Sequence, residues 1–260
     1  MLLKTLLTLT LTLSSLFAIT AQEIAQKVHD RDEGDNITSN MKMILIDKAG
    51  KKRVRDLKVF TKNRGEDTLK LMFFLTPADV KNTAFLTYDY ENSDRDDDQW
   101  LYLPELRKVK RIASSDKSSS FMGSDFTYSD MTSRNVEDYT YKIMKEPKIK
   151  GHKTWQLLVV PKSNKVIEET GYTKSIIFVR QDNFVIIQAL HYIKAGKKLK
   201  YMMVKDLELI NNVWTIKEIQ MVTKKGKKKL HKSIFKFSNI KYNQDLDESL
   251  FTTRTLERGL

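Results

Sequence analysis

The chain has 260 residues, of which 40% are hydrophobic and 30% are charged, and its formal net charge is +13. This composition excludes an intrinsically disordered protein and suits one large globular domain. The lack of cysteine excludes a disulfide-stapled scaffold and a lipoprotein anchored through an N-terminal cysteine.

The N-terminal sequence MLLKTLLTLTLTLSSLFAITAQE has the order of a secretory signal peptide. One positive charge, Lys4, precedes an apolar, Thr-rich run that ends in small residues. We predict that residues 1–21 are a signal peptide, cleaved after Ala21 or Ala18, and that residues 22–260 form a single domain of net charge +12. An uncleaved membrane anchor is the alternative, which the short run and its Thr and Ser content disfavour. The mature protein is expected in a bacterial periplasm.

A short helix is predicted to begin at Ala21, because Ile24, Ala25 and Val28 recur at helical spacing and Gly34 can end it. Period-two patterning then takes over and continues almost to the end of the chain. The predicted strands are 40–47, 53–61, 68–77, 83–90, 99–104, 107–112, 139–146, 154–162, 175–180, 184–193, 198–210, 214–223 and 232–243. Tight turns between short, evenly spaced strands indicate one large antiparallel meander.

Two segments depart from this pattern. Residues 113–138 are rich in Ser, Asp and Gly, with apolar residues among them and a possible helical turn. The C-terminal stretch DLDESLFTTRTLERG resembles a short helical end, in which Asp245 and Glu248 have the spacing of a capping box.

Several predicted strands are apolar on both faces, as in FVIIQALHYI (184–193), whereas an antiparallel sheet usually shows water one polar face. One explanation is an ordinary core with helices packed on one side of a curved sheet. The other is a curved sheet whose concave face forms an apolar cavity. The pattern alone favours the first explanation.

Signals for catalysis are thin, so we predict that the protein is not an enzyme and has no cofactor or metal. The sequence has no GxSxG elbow, P-loop or Rossmann glycine motif, and its four histidines lack metal-ligand spacing: His29, His152, His191 and His231. An acidic run, NSDRDDDQ (92–99), is predicted to be a solvated hairpin loop. Calcium binding is the lesser alternative, because the expected glycine and terminal glutamate are missing.

Basic residues cluster at two predicted hairpins. KKGKKKLHK (224–232) places six lysines at one tip, and the other carries Arg107, Lys108, Lys110 and Arg111. They either form solvated edges or attract anionic lipid headgroups or an acidic partner. Nucleic acid is a poor fit, because the chain has an export signal and lacks a nucleic-acid-binding module.

The pieces QWLYLPELRKVKRI (99–112) and SSSFMGSDFTYSDM (118–131) resemble the signature of the LolA-like family of outer-membrane lipoprotein-sorting proteins. Supporting pieces are TPADVKNTAFL (76–86), where Asn82 replaces an expected glycine, GYTKSIIFVRQDNFVI (171–186) and SLFTTRTLE (249–257). The resemblance spans the mature chain. It implies a mainly β α+β fold: an incomplete antiparallel barrel whose concave apolar face is covered by short helices and a loop. It also implies carriage of lipid or lipoprotein acyl chains across the periplasm, with an RND-type export pump as a plausible partner.

We therefore expect a periplasmic carrier or chaperone in outer-membrane biogenesis, with residues 118–131 as a movable cover over an apolar cavity. Gly123 is a candidate pivot, and Ser118–Ser120 are expected to hold the cover only weakly. The candidate lipid contacts are Phe121, Met122, Phe126, Met131, Met72, Phe74 and Trp100. Arg107, Lys108, Lys110 and Arg111 are expected at the cavity mouth, facing anionic headgroups, a transiently contacted membrane or the partner. The alternative is a rigid periplasmic docking subunit of a membrane transport complex that carries nothing.

Overall fold

A computed structural model describes residues 18–194 and 196–260, so most of the predicted signal peptide lies outside the described residues. The α-helices of the described part are α1 (Ala21–His29), α2 (Asn164–Thr170) and α3 (Thr253–Arg258). Its strands are β1 (Ile37–Ile46), β2 (Lys52–Arg64), β3 (Asp67–Thr76), β4 (Ala84–Asp89), β5 (Asp98–Leu103), β6 (Lys108–Arg111), β7 (Tyr139–Lys145), β8 (Lys148–Ile149), β9 (His152–Pro161), β10 (Tyr172–Arg180), β11 (Ile186–Ile193), β12 (Lys198–Ile210), β13 (Val213–Lys225) and β14 (Lys228–Lys241). Short 3-10 helices are formed by Ser114–Asp116, Phe121–Gly123, Ser129–Met131, Val136–Asp138 and Glu248–Leu250.

All the strand pairs are antiparallel, and the described strands form one open sheet in the order β6-β5-β4-β3-β2-β1-β14-β13-β12-β11-β10-β9-β7, with β8 added to β9. The predicted antiparallel meander and incomplete barrel are therefore confirmed. The edge strands β6 and β7 are consecutive in sequence although they lie at opposite ends of the sheet. The chain must cross the sheet between them.

The sheet curls so that its two ends approach each other. In a flat sheet, β4 and β10 would lie about 40 Å apart, since adjacent strands are about 4.8 Å apart. Yet Asp96, between β4 and β5, accepts a 2.8 Å hydrogen bond from the Lys165 ammonium of α2, which leads into β10. Lys117, which follows β6, likewise pairs with Glu169 of α2 at 2.6 Å.

We call the face toward which the ends curl the inner face. It is covered on one side by α1, whose Ile24 is fully buried against β9 and β10, and on the other by residues 112–138. The opposite, outer face carries a separate apolar cluster on β3, β4 and β5, which the C-terminal segment covers through Phe251 and Leu256. Both sheet faces are thus buried on β3 and β4, whereas on β11 one face is buried and the other, with Ile186 and Leu190, is only partly buried.

Helix α1 confirms the predicted N-terminal helix, but it ends at His29, with Asp30 as its C-cap, and not at Gly34. Thr20 caps it: its hydroxyl accepts from the Glu23 N–H at 3.2 Å, and the Glu23 carboxylate accepts from the Thr20 N–H at 2.7 Å. None of the helices in the described part of the chain has the length and apolar character needed to span a bilayer.

The predicted capping box at Asp245 is wrong. The residue that caps the 3-10 helix Glu248–Leu250 is Asp247, whose carboxylate accepts from the Ser249 N–H at 2.9 Å. A second cap, Thr252, begins α3. Helix α2 was not predicted: it has only seven residues, with Ser163 as its N-cap and Gly171 in a left-handed conformation after its end.

Candidate functional site

Residues 112–138 cross the inner face between the edge strands β6 and β7, and we call this segment the strap. It is the irregular, Ser- and Asp-rich segment of the sequence, folded as four 3-10 turns. Its apolar side chains point to the sheet: Phe121 is fully buried, and Phe126, Tyr128 and Met131 are 4–9% exposed. The predicted cover does therefore lie over an apolar sheet face.

The strap's aromatic rings pack directly on aromatic rings and methionines of the sheet. Phe126 stacks on Phe235 of β14 with ring centroids 4.3 Å apart, and Phe121 lies 5.1 Å from Phe85 of β4. The floor beneath them consists of apolar side chains from β1, β2, β3, β4, β5, β13 and β14: Met41, Met43, Leu45, Leu57, Val59, Met72, Phe74, Phe85, Leu101, Met221 and Phe235. The strap occupies this floor with the protein's own side chains.

The structure brings most of the predicted lipid contacts together. A single cluster holds Phe121, Phe126, Met131, Met72 and Phe74, with Met122 partly buried against it. Trp100 does not join them. It belongs to the outer-face cluster, 5.0 Å from Tyr88 and near the C-terminal segment, so the expectation that it shares a surface with Met72 is wrong. The reason is strand alternation: its neighbour Leu101 is the β5 residue that faces the strap.

The strap is held more firmly than its serines suggested. Side chains of three strands donate to its backbone carbonyls: Arg55 of β2 to Met122 at 2.6 Å, Gln99 of β5 to Tyr128 at 2.9 Å, and Lys70 of β3 to Met131 at 3.1 Å. The prediction concerned only Ser118–Ser120, and the cover is held by bonds to other parts of the strap. Gly123 does adopt a left-handed conformation, with φ +75°, as does Met122, with φ 48°.

Asp125 is the most heavily bonded side chain of the strap. It is 4% exposed, and its carboxylate accepts hydrogen bonds from His231 Nδ1 and Ser233 Oγ, both at 2.7 Å, and from the Thr223 hydroxyl. Its backbone N–H donates to Ser233 Oγ at 2.8 Å. These donors stand on β13 and β14, so one strap carboxylate is bound to two adjacent strands.

Asp130 makes a second polar junction, with β10. Its carboxylate accepts from the Tyr172 hydroxyl at 2.8 Å, and Arg134 lies 3.6 Å away. Burial alone would raise the pKa of Asp130, but the positive charges of Lys200 and Arg134 lower it below its ordinary value. The carboxylate therefore stays ionised beneath the strap.

His191 of β11 stacks on the Tyr172 ring with centroids 4.5 Å apart and shares a 2.7 Å hydrogen bond with Ser175. Burial, followed by the nearby charge of Arg134, lowers the pKa of His191 to about 3. The imidazole is thus neutral at physiological pH, and this pairing of Ser175 and His191 serves packing and hydrogen bonding. No carboxylate contacts His191 to complete a catalytic triad among the described residues.

A polar cavity of about 120 Å³ opens beside the strap, between the β4–β5 loop and α2. Six carboxylates line it: Asp89, Glu91, Asp96, Asp97, Asp138 and Glu169. Burial, followed by the negative charge of Asp89, raises the pKa of Asp97 to about 6. Two other carboxylates of the acidic run pair with cations, Asp96 with Lys165 and Asp98 with Arg111, and Asp94 is exposed.

The predicted headgroup contacts lie at the sheet edge. Arg107 is in the β5–β6 turn, and Lys108, Lys110 and Arg111 are exposed on β6. Lys110 lies 3.8 Å from Asp116 of the strap, whereas Arg111 pairs with Asp98 on the other side. Lys108 and Lys110 face the strap side of the sheet, because they pair with Leu103 and Leu101.

Sequence reasoning missed the polar residues that hold the strap. Arg55 and Ser233 occupy inward-facing positions of β2 and β14 among apolar residues. A polar residue at such a position was the one sequence signal that could have indicated a polar contact with the strap. Asp125 belongs to the FMGSDF motif, residues 121–126. Its partners are roughly a hundred positions along the chain, so local patterning did not connect them.

Comparison with known proteins agrees with this architecture. A family described as "Uncharacterized protein" matches residues 66–258. A domain from Vibrio parahaemolyticus named for outer membrane lipoprotein sorting is 29% identical, with a TM-score of 0.82 over 92% of this chain and 98% of that one. A DUF1329 family protein from Desulfovibrio piger is 28% identical, with a TM-score of 0.82 over 91% of this chain and 97% of that one.

A LolA superfamily protein from Nitrosomonas europaea shares the fold, with a TM-score of 0.68 at 20% identity over 92% of this chain and 100% of that one. Comparison with curated proteins finds no match. The chain has the fold of that LolA superfamily protein, is similar in sequence and structure to a lipoprotein-sorting domain, and belongs to the family matched over residues 66–258.

Proposed function

We propose that the protein is a carrier that binds lipid or lipoprotein acyl chains on the inner face of its sheet, after the strap has moved aside. It would ferry them through the periplasm toward the outer membrane, or to or from an RND-type export pump. The observation that carries the proposal is the strap itself. An irregular segment supplies the large apolar side chains that fill the inner face, Phe121 and Phe126 among them.

The energetics of the strap favour such exchange. An acyl chain gains about 0.8 kcal/mol for each CH₂ group that it buries. The same floor is now covered by rings and a methionine that are attached to a backbone without long regular structure. A chain that replaced Phe121, Phe126 and Met131 would therefore regain much of the burial lost when the strap opens. Methionines on the floor, such as Met43 and Met221, adapt readily to a flexible ligand.

The similarity to the Vibrio parahaemolyticus domain supports the class of function, because that domain is named for lipoprotein sorting. The proposed delivery to a membrane is supported by the basic hairpin tips. A non-carrier docking subunit is the second candidate, and the observation that favours it is the filled inner face.

A strap locked by a disulfide separates the two candidates. The chain has no cysteine, so the pair Asp125→Cys with Ser233→Cys adds the only thiols at a place where the two side chains already touch at 2.7 Å. We expect the reduced protein to bind a fluorescent fatty acid and the oxidised protein to bind it at least about ten-fold more weakly.

Each single-cysteine variant controls for the substitution, and native mass spectrometry of the wild-type protein purified from cells tests for co-purified lipid. Equal binding by the oxidised and reduced forms would contradict the requirement for strap opening. No binding by wild type or by the reduced variant, together with no co-purified lipid, would leave the docking subunit as the function.

A further inference from the structure

A row of hydrogen-bond donors crosses the inner face beneath the strap, next to the apolar floor. The strand register places its members side by side, one on each strand from β10 to β14: Ser175, His191, Lys200, Thr223 and His231. Directly paired residues of antiparallel strands project to the same face, so these side chains form one line across the sheet. Ser233, two positions beyond His231, belongs to the same surface and is fully buried.

The strap meets this donor row with carboxylates. Asp125 accepts from Thr223, His231 and Ser233, and Asp130 accepts from Tyr172 beside Lys200, whose ammonium is 3.3 Å from the Tyr172 hydroxyl. Both carboxylates act electrostatically on Lys200. The sheet therefore provides the donors and the positive charge of Lys200. The strap provides two carboxylates, and its own Arg134 pairs with Asp130 but not with Asp125.

The apolar floor starts immediately beside the donor row. Phe235 lies two residues after Ser233 on the same face of β14, and Phe126, the residue after Asp125, stacks on it at 4.3 Å. Consecutive strap residues thus place a carboxylate on the donors and an aromatic ring on the floor. This is the arrangement of an anionic amphiphile, with a charged head joined to an apolar tail.

We propose that the donor row is the headgroup site for an anionic amphiphile, and that Asp125 and Phe126 of the strap occupy the site as an internal substitute when no cargo is bound. The inference rests on the proposed carrier function and adds the chemical class of the cargo. When the strap leaves, Thr223, His231 and Ser233 lose their acceptor, the Asp125 carboxylate, and Lys200 loses the nearby negative charges. A phosphate or carboxylate headgroup restores those hydrogen bonds, whereas an uncharged lipid leaves the donors and Lys200 unpaired.

Two lipids with identical chains test the proposal: dioctanoyl phosphatidylglycerol, which has a phosphate, and dioctanoylglycerol, which has none. We expect wild-type protein to bind the phosphatidylglycerol at least about ten-fold more tightly in calorimetric titrations, because the charge-assisted hydrogen bonds are made only by the phosphate. Inorganic phosphate alone is expected to bind too weakly to compete, since it has no tail for the floor.

Variants of the row and of the strap should act in opposite directions. Lys200→Met keeps the length of the side chain and should reduce binding of the phosphatidylglycerol to the level of the diacylglycerol. Asp125→Asn weakens the internal substitute and should tighten binding of the phosphatidylglycerol. Lys205→Met, at an exposed lysine of the same strand, is the matched control and should change neither affinity. Thr223→Val gives a second test of the row if Lys200→Met does not fold, as judged by circular dichroism.

The outcomes separate the two proposals. Equal affinity of wild type for both lipids overturns the headgroup site and leaves the carrier in place. Inorganic phosphate that competes as well as the phosphatidylglycerol also overturns it, because the site would then recognise a free anion. If neither lipid binds to wild type or to Asp125→Asn, the carrier function falls as well.

Discussion

At the scale of single residues, the hydroxyl of Thr87 is buried beneath the strap without a hydrogen-bond partner among the described residues. Thr87 is fully buried on β4, opposite Gln99 of β5, and Thr87 Oγ1 and Gln99 Oε1 are both unpaired. An unpaired buried polar atom costs about 1–3 kcal/mol. Thr87→Val keeps the shape and removes that atom, so we expect the free energy of unfolding in urea to rise by about 1 kcal/mol.

Thr154→Val is the matched control for this prediction. Thr154 is also fully buried, but its hydroxyl donates to the Pro147 carbonyl at 2.7 Å. Removing that hydroxyl should lower the free energy of unfolding by about 1–2 kcal/mol. An equal loss in the two variants would show that the Thr87 hydroxyl is in fact hydrogen-bonded, and would contradict the prediction.

Asp97 should make the stability of the protein fall with rising pH. Its pKa rises from 3.8 to about 6 in the folded state, first because of burial and then because of Asp89. The folded protein therefore holds a proton that the unfolded chain releases near pH 3.8. The stability that this proton contributes is complete below the unfolded pKa and is lost as pH rises through the folded pKa of about 6.

Asp97→Asn should remove this dependence and make the protein about 1–2 kcal/mol more stable than wild type at pH 7. Urea unfolding at a series of pH values between 4 and 7 measures the effect, and the exposed neighbour Asp94→Asn is the control. A wild-type profile that Asp97→Asn leaves unchanged would show that Asp97 titrates in the same way in the folded and unfolded protein.

At the scale of elements, the cap of helix α1 predicts that the stability of the protein depends on where its N-terminus is cleaved. Its capping box joins Thr20 to Glu23, and Ile19 packs against the cluster that holds Ile24. A chain that begins at Gln22 lacks both residues, whereas a chain that begins at Ile19 keeps them. We expect the shorter chain to be less stable by about 1–2 kcal/mol, because it loses the capping hydrogen bond of Thr20 and the apolar contact of Ile19.

Thermal and urea unfolding of the two purified chains measure this difference. Thr20→Ser in the longer chain keeps a capping hydroxyl and should be nearly as stable as its parent. Equal stability of the chains beginning at Ile19 and Gln22 would show that the cap contributes nothing. If the chain is exported and cleaved as the sequence predicts, the mass of the mature protein tells which of the two predicted sites, after Ala18 or after Ala21, is used.

The elements that the sequence predicted are those formed by local rules. Alternating apolar residues and tight turns predicted thirteen of the strands within a few residues of their bounds, and the spacing of Ile24, Ala25 and Val28 predicted α1. The missed elements are short: α2 has seven residues and β8 has two. Their few residues leave no room for a repeating pattern.

The position of the strap, by contrast, depends on contacts between distant parts of the chain. Its apolar residues identified it as a cover, but the donors that hold Asp125 come from positions 223 to 233. Trp100 was misplaced for a related reason. An alternating strand has two faces, and the pattern WLYL does not show which face turns inward when both are apolar.

At the scale of the whole molecule, basic residues gather at one end of the central strands. The β1–β2, β13–β14 and β11–β12 hairpins turn at the same end, because Ile46 pairs with Lys232 and Lys198 pairs with Lys225. Their tips carry Lys48, Lys51, Lys52, Lys197, Lys198, Lys225, Lys227, Lys228 and Lys229. At the opposite end of these strands, the β2–β3 turn carries Glu66, and the β12–β13 turn, Asn211-Asn212, carries no lysine. The basic end lies beside the donor row, which includes His231.

This basic rim predicts that the protein associates with anionic membranes end-on. Each lysine near an anionic surface contributes about 1 kcal/mol, and the attraction is screened by salt. Replacing Lys225, Lys227, Lys228 and Lys229 by Gln should weaken binding to phosphatidylglycerol-containing vesicles at least about ten-fold in a sedimentation assay at low salt. The melting temperature should change little, because these side chains are exposed.

A change of equal charge elsewhere distinguishes the rim from net charge alone. Lys142, Lys145, Lys148 and Lys150 are exposed on and beside β7 and β8, and their replacement by Gln removes the same four charges. A third variant, with Gln at Arg107, Lys108, Lys110 and Arg111, tests the sequence-based prediction that these residues meet headgroups. If all three variants lose binding equally, the attraction comes from the net positive charge of the protein. Loss confined to the lysine tips would mean that the membrane meets the end of the sheet where the donor row lies, so that a lipid headgroup leaving the bilayer would have the shortest path to it.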